Sequence, residues 1–236
     1  MSSPSALDAF LDKWRRRWPE WAVAETFVPA AQRARTVAWF ALLQEFDDIL
    51  NIAGDPLPAD AKLAWWGEEL RNWAMQRSRH PLGRVLEPVA APWAQLAEAL
   101  PGLLAARASA VDPGQAHAQL ESFAQVAAAV ECALFDATPV DAATRAVATQ
   151  VLAQRLAEVG AAAVPLSLRS GDDAQARQQW AQALLQRWPR RVRGPRARRI
   201  LSALARARIV RQATIPAPKP PTAMATLWRA WWAGLG

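Results

Sequence analysis

Apolar residues recur along this chain at three- and four-residue intervals, and the pattern predicts helices almost from end to end. The clearest run is Trp39, Phe40, Leu43, Phe46 and Leu50, inside a helix predicted over 30–53. Leu63, Trp66, Leu70 and Trp73 make the buried stripe of the next, over 59–77. Ahead of both, a helix over 5–24 carries Trp14, Trp18 and Trp21 on one side, with Pro19 as an interruption. Further helices are predicted over 83–108 (broken around Pro88 and Pro92), 114–136, 140–159, 172–188 and 194–212. Gly and Pro punctuate the segments: 54–58 reads as a loop, Ser78–Pro81 as a helix end, and Gly171–Asp173 as a turn.

Composition agrees with the pattern. Hydrophobic residues make up 52% of 236 positions, Gly is scarce at 10 and Tyr is absent. Helix formers dominate, and short alternating runs of Val, Ile or Thr are hard to find. The fold class is therefore all-α. The length suits one large domain over 1–213, followed by a segment over 214–236 that holds a Pro-rich connector and an amphipathic, Trp-rich end. On a helix, Met224, Leu227, Trp228, Trp231, Trp232 and Leu235 share one face, which the pattern places first against the protein's own body. A membrane interface is the second candidate for that face, since Trp beside basic residues suits a headgroup layer, and a partner protein is the third.

Charge is uneven. Residues 1–173 hold 15 Lys/Arg against 21 Asp/Glu, a net −6, whereas residues 174–236 hold 13 Lys/Arg and no acid. Such asymmetry suits a polyanionic ligand or surface. Nucleic acid is the weaker reading of the ten arginines in 187–211, because no helix-turn-helix, zinc or RNA-recognition signature accompanies them. The lone Cys132 excludes an internal disulfide and reads as a buried thiol. No secretory signal opens the chain and no run of about 18 apolar residues exists. The expected location is the cytoplasm, with a peripheral contact at the inner face of the membrane through 224–235.

One helix carries chemistry. Asp47 and Asp48 stand in an otherwise apolar run, and Asn51 shares a face with Asp47. An acidic pair in that setting is an exposed edge or a cation site. Asp8 and Asp12 have the same spacing, but with Lys13 beside them they read as solvated surface. His80, before Pro81 at a helix end, reads as structural.

The stretch Phe27–Asp48 resembles the active-site entrance of squalene/phytoene synthases, whose pattern is a Leu-Pro, an Arg-rich turn, and an apolar helix ending in Cys-Arg-x-x-Asp-Asp-x-x-Asp. Lys62–Leu70 and His80–Leu86 resemble the following helix and its His-Pro exit. The resemblance is good over about 20–90 and fainter beyond. It implies an isoprenoid-synthase-like bundle around a central cavity. It also implies two aspartate-rich motifs holding Mg²⁺, which neutralises the diphosphate leaving group of a prenyl substrate. Carried over, Asp47, Asp48 and Asn51 are the remnant of the first metal motif. Gln44, Arg33, Arg35, Gln150, Gln154 and Arg155 are candidates for diphosphate contact, and Glu158 is the remnant of the second metal motif.

The departures from that pattern all remove charge. Gln44 replaces an arginine, Asn51 an aspartate and Leu156 another aspartate, and the family's pocket tyrosines have no counterpart. The resemblance thus implies a member that has lost prenyl-diphosphate condensation and acts as a lipid- or prenyl-binding or assembly-type protein. The family itself includes an assembly factor with degenerate motifs. The alternative is an active, divergent Mg²⁺-dependent transferase joining two farnesyl or geranylgeranyl diphosphates. Either way, a long apolar cavity is expected, entered near Asp47 and Arg155 with Arg33 and Arg35 at its mouth.

Overall fold

The computed structural model describes residues 5–138, 140–169, 171–214 and 222–235, and among them there is no strand. The helices run α1 (Ala6–Arg17), α2 (Trp21–Ala24), α3 (Ala30–Leu50), α4 (Leu57–Ala74), α5 (Gly83–Leu86), α6 (Trp93–Ala99), α7 (Pro101–Ala105), α8 (Pro113–Leu134), α9 (Asp141–Val159), α10 (Asp173–Arg187), α11 (Arg196–Ala213) and α12 (Ala223–Leu235). The expected all-α class is what the chain adopts. None of these helices is long and apolar enough to cross a membrane.

The long helix α3 is the axis of the bundle. Trp39 through Leu42 are buried one after another, so the helix is apolar all round and needs neighbours on every side. It packs on α1, α4, α5, α7 and α9, while α8 pairs with α9 and α10 with α11. Aromatic rings join these elements. Trp14 and Trp21 both stand 5.7 Å from Phe40 between α1, α2 and α3, and Phe46 meets Trp66 at 5.8 Å and Phe123 at 6.0 Å. Most of the tryptophans are thus core residues.

Helix ends follow local chemistry. Ser5 and Asp8 form a reciprocal cap at α1, so Asp8 caps a helix end, and Asp12 pairs with Arg15. Asp112 and Asp172 cap α8 and α10, and Gly171, at φ +102°, makes the turn before the latter. The helix α4 starts two residues earlier than the pattern predicts. Pro58 is tolerated in its first turn, where no amide hydrogen is needed. The predicted 83–108 segment is three short helices, divided where the prolines fall.

The exit from α4 is built on one buried carboxylate. Glu69 accepts the backbone N–H of Arg79 at 2.6 Å and of His80 at 2.7 Å, and the indole N–H of Trp73 at 2.9 Å. The His80 ring lies among Phe10, Trp65 and Trp66, and its Nδ1 accepts the N–H of Leu82. Burial holds its pKa below the ordinary value. His80 is structural, as its place before Pro81 suggests.

At the C-terminal end one expectation is left untouched and one is corrected. The connector lies, apart from Thr214, outside the described residues. The helix α12 does dock on the body, against α11 and α2, but by its small residues Thr226, Ala230 and Gly234. Its tryptophan face is exposed.

Replacing Glu69 by Ala strands three buried or half-buried donors, so Glu69→Ala should destabilise the protein by about 3 kcal/mol, read from urea denaturation.

Candidate functional site

Along α3, Gln44, Asp47, Asp48 and Asn51 face the N-terminal part of the chain on one side and α9 on the other. Asp48 is the outer carboxylate. Its oxygens take the Lys13 ammonium of α1 at 2.7 Å and the Gln44 amide at 2.8 Å. Glu45, next on the same surface, is buried and gripped by Lys13 and Lys62, both at 2.6 Å. Burial would raise its pKa, but these two hydrogen-bonded ammonium groups outweigh it and hold the carboxyl below the ordinary value.

Asp47 points inward. Among the described residues it has no ion-pair partner. Burial, and then the neighbouring charge of Asp48, push its carboxyl well above the usual carboxylate range, against an opposite pull from Arg17 and Arg198. It lines a cavity of about 10 Å³ with Leu43, Phe123, Gln150, Gln154 and Arg198, room for about one water molecule. A second space of about 60 Å³ lies beyond Gln150 and Gln154, toward Glu158 and Arg17. The long apolar cavity expected at this place is not found among the described residues. Side chains fill it.

The filling is ionic at its centre. Arg198 of α11 and Glu131 of α8 are each 1% exposed in their side chains and form a forked ion pair, with the Arg198 Nε–H 2.9 and 3.0 Å from the two carboxylate oxygens. The indole N–H of Trp39 donates to the same carboxylate at 2.8 Å, and Arg198 donates to the Gln150 amide oxygen at 2.7 Å. The guanidinium lies 5.2 Å from the Phe40 ring centre. Four helices, α3, α8, α9 and α11, therefore close on one cation.

The other proposed positions are also engaged. Asn51 turns its amide N–H back to the Asp47 carbonyl at 2.9 Å and its oxygen to Arg155 at 3.1 Å. Arg155 also donates to the carbonyls of Leu50 and Arg107. Glu158 pairs with Arg17. Arg33 donates to the carbonyls of Thr26 and Val28, and Arg35 to that of Leu134. Arg35 precedes Asp47 by twelve residues, about 18 Å along α3, so neither arginine stands at the mouth of the Asp47 site. The structure thus joins Asp47, Gln150 and Gln154 around one cavity, Gln44 to Asp48, and Asn51 to Arg155. Arg33 and Arg35 belong elsewhere.

Mg²⁺ asks for several anionic or carbonyl oxygens free to converge in octahedral geometry. Here Asp48 is held by Lys13 and Gln44, Asn51 faces a guanidinium, and Leu156 is an apolar buried residue. Among the described residues, no three His, Cys, Asp or Glu side chains group as metal ligands. The opposite bank of the site presents the guanidinium groups of Arg155 and Arg198. These residues do not fit a magnesium cluster.

Sequence reasoning missed Lys13, Arg107, Glu131 and Arg198. A usable signal existed for the last two. Glu131 interrupts the apolar run around Cys132, and Arg198 falls in register with Leu201 and Ala205, so each is a charge on a buried stripe.

A helical bundle with an acidic pair on its central helix, facing a glutamine-bearing helix, is of the isoprenoid-synthase kind. The squalene/phytoene synthase family model matches residues 15–151, and the chain belongs to that family. The match ends one residue past Gln150. Neither a curated protein nor a solved structure matches the chain.

Two outcomes follow. Between the ordinary carboxylate pKa of 3.8 and its raised value in the fold, Asp47 is ionised in the unfolded chain and protonated in the folded one. Folding then takes up a proton, so stability is greatest at the acid end of this window and falls as pH rises, by up to about 1.4 kcal/mol per pH unit. Asp47→Asn should remove that slope and exceed the wild type in stability at neutral pH, as urea denaturation at a series of pH values would show. Arg198→Met leaves Glu131 buried without its cation and should cost about 3–5 kcal/mol, whereas adding Glu131→Met should restore most of the loss.

Proposed function

We propose that this chain is a non-catalytic member of the squalene/phytoene synthase family, acting as a binding or assembly-type protein. The observation that carries the reading is the Arg198–Glu131 pair and its partners, which occupy the bundle centre and leave about 10 Å³ beside Asp47. A farnesyl chain needs an apolar tunnel many times that volume, and its diphosphate needs cations that are not already committed. Arg155 and Arg198 are both committed to protein oxygens.

Ionising an allylic diphosphate requires the leaving group to be neutralised where the carbocation forms. In this bundle two of the carboxylates that would gather divalent ions are matched instead by the protein's own cations, Asp48 by Lys13 and Glu158 by Arg17, and the third, Asp47, is buried with its carboxyl shifted toward the neutral acid. Binding of a lipid or prenyl group inside the bundle has little support from this packing. Contact with such molecules is better sought on the surface, and the protein is proposed to work at the cytoplasmic face of a membrane without crossing it.

Purified protein incubated with Mg²⁺ and farnesyl or geranylgeranyl diphosphate should release no diphosphate and form no condensed product. Turnover of either substrate would establish the alternative, a divergent transferase using Asp47, Asp48, Asn51 and Glu158.

A further inference from the structure

Helix α12 is packed in the reverse sense to a core helix. Thr226, Ala230 and Gly234, four residues apart, form the stripe that meets the body, and a methyl group at Gly234 would lie 3.7 Å from Phe27 Cβ. Every large apolar residue points away. Met224 is 73% exposed, Trp228 58%, Trp232 57% and Leu235 61%, with Leu227 and Trp231 also exposed. The three indoles pack on one another, Trp231 lying 5.0 Å from Trp228 and 5.1 Å from Trp232. With Met224, Leu227 and Leu235 they form a ridge along the outer face of this 13-residue helix, which is about 20 Å long.

Arginines flank this ridge on both sides. A groove of about 1010 Å³ runs between α12, α11 and the 188–192 segment, and Arg190, Arg191, Arg199, Arg206 and Arg229 line it. On the far side a hollow of about 480 Å³ holds Arg33 and Arg196 beside Trp231. No acidic residue occurs between 174 and 236 to balance them. Arg190, Arg191, Arg206 and Arg229 make no ion pair among the described residues. The Nε–H of Arg199 and an Nη1 hydrogen-bonding site of Arg229 are buried without a partner. Buried N–H groups of this kind cost stability until an acceptor oxygen reaches them.

We infer that the α12 ridge and its arginine-lined flanks form a docking surface for an anionic phospholipid bilayer, with the indoles at headgroup depth and lipid phosphates accepting from the groove arginines. Trp prefers that layer, where its ring is partly apolar and its N–H stays wet, and arginine stems extend along apolar surface while their heads meet phosphate. The aliphatic ends of the ridge, Met224, Leu227 and Leu235, favour acyl chains over nucleic-acid bases, which would stack on the indoles and leave those side chains idle. The inference deepens the proposed work at a membrane face, naming the surface and the lipid charge, and is independent of the loss of catalysis: an active transferase could carry the same surface.

The test is co-sedimentation of the full chain with vesicles of phosphatidylcholine alone and of equal parts phosphatidylcholine and phosphatidylglycerol, at low and high salt. Binding is expected to the mixed vesicles, to be weak on phosphatidylcholine alone, and to fall with salt. Arg190→Ala with Arg191→Ala should lower partitioning onto the mixed vesicles by about thirtyfold. Trp228→Ser with Trp232→Ser should weaken binding to both compositions, and circular dichroism should show both double variants folded, since all four side chains are exposed. Absence of wild-type binding to the mixed vesicles overturns the inference, whatever the variants do. So does vesicle binding that neither double variant alters. Dimerisation through the same tryptophans, or binding to duplex or single-stranded DNA, overturns it when found without vesicle binding.

Discussion

The Arg198–Glu131 pair fixes the rest of this molecule. A charged pair that is almost fully buried survives only if its hydrogen-bonding capacity is met, and here the partners come from four helices. Trp39 ties the pair to the axis of the bundle, Gln150 to α9, and Phe40 covers the guanidinium face. Because the pair must be dry and complete, the helices cannot separate at that level without exposing it. The small residual space beside Asp47 follows from the same closure.

The same logic explains how the carboxylates along α3 are balanced by the protein's own cations. Carboxylates in a half-buried cluster need positive charge nearby, and exchangeable divalent ions are one source. Fixed side chains are another. Lys13, Lys62 and Arg17 supply it at the surface and Arg155 turns toward Asn51. Asp47 is the exception, a carboxylate with no bonded cation among the described residues, and burial beside Asp48 shifts its pKa toward the neutral acid. Adjacent aspartates on one helix thus sit in opposite settings, Asp48 bonded to an ammonium group and Asp47 buried beside it.

Much of the fold was legible because helical periodicity is local. The stripes of α3 and α4, the turn at Gly171–Asp173, and the aspartate pair could all be read from neighbours in sequence. The partners of that pair could not. Lys13 meets Asp48 across 35 positions and Arg198 meets Glu131 across 67, distances at which no periodic pattern carries information. Arg33 and Arg35 failed for a related reason: their proximity to Asp47 in sequence becomes length along a rigid rod. The resemblance to a family supplied the helix order and the candidate positions, yet whether its cavity was open depended on side-chain volume contributed by α8 and α11.

Helix α12 shows where pattern is ambiguous in principle. An amphipathic period identifies two faces, but it does not state which of them meets the protein. Burying the larger apolar face is the usual solution, because stabilisation grows with apolar area removed from water. The stripe of Thr226, Ala230 and Gly234 offers close backbone approach instead, and Arg199 locks the helix by donating to the Gly234 carbonyl at 3.0 Å. The excess positive charge of the C-terminal quarter divides along the same line. Arg198 and Arg208 turn inward to Glu131 and Glu20, Arg208 also lying 3.7 Å from the Trp18 ring centre, and they hold the bundle together. The arginines beside α12 are left over from that task. A run of basic residues that looks uniform in sequence thus contains two populations, one on the face of α11 that meets buried or half-buried carboxylates and one beside α12, contributed by the 188–192 segment, α11 and α12.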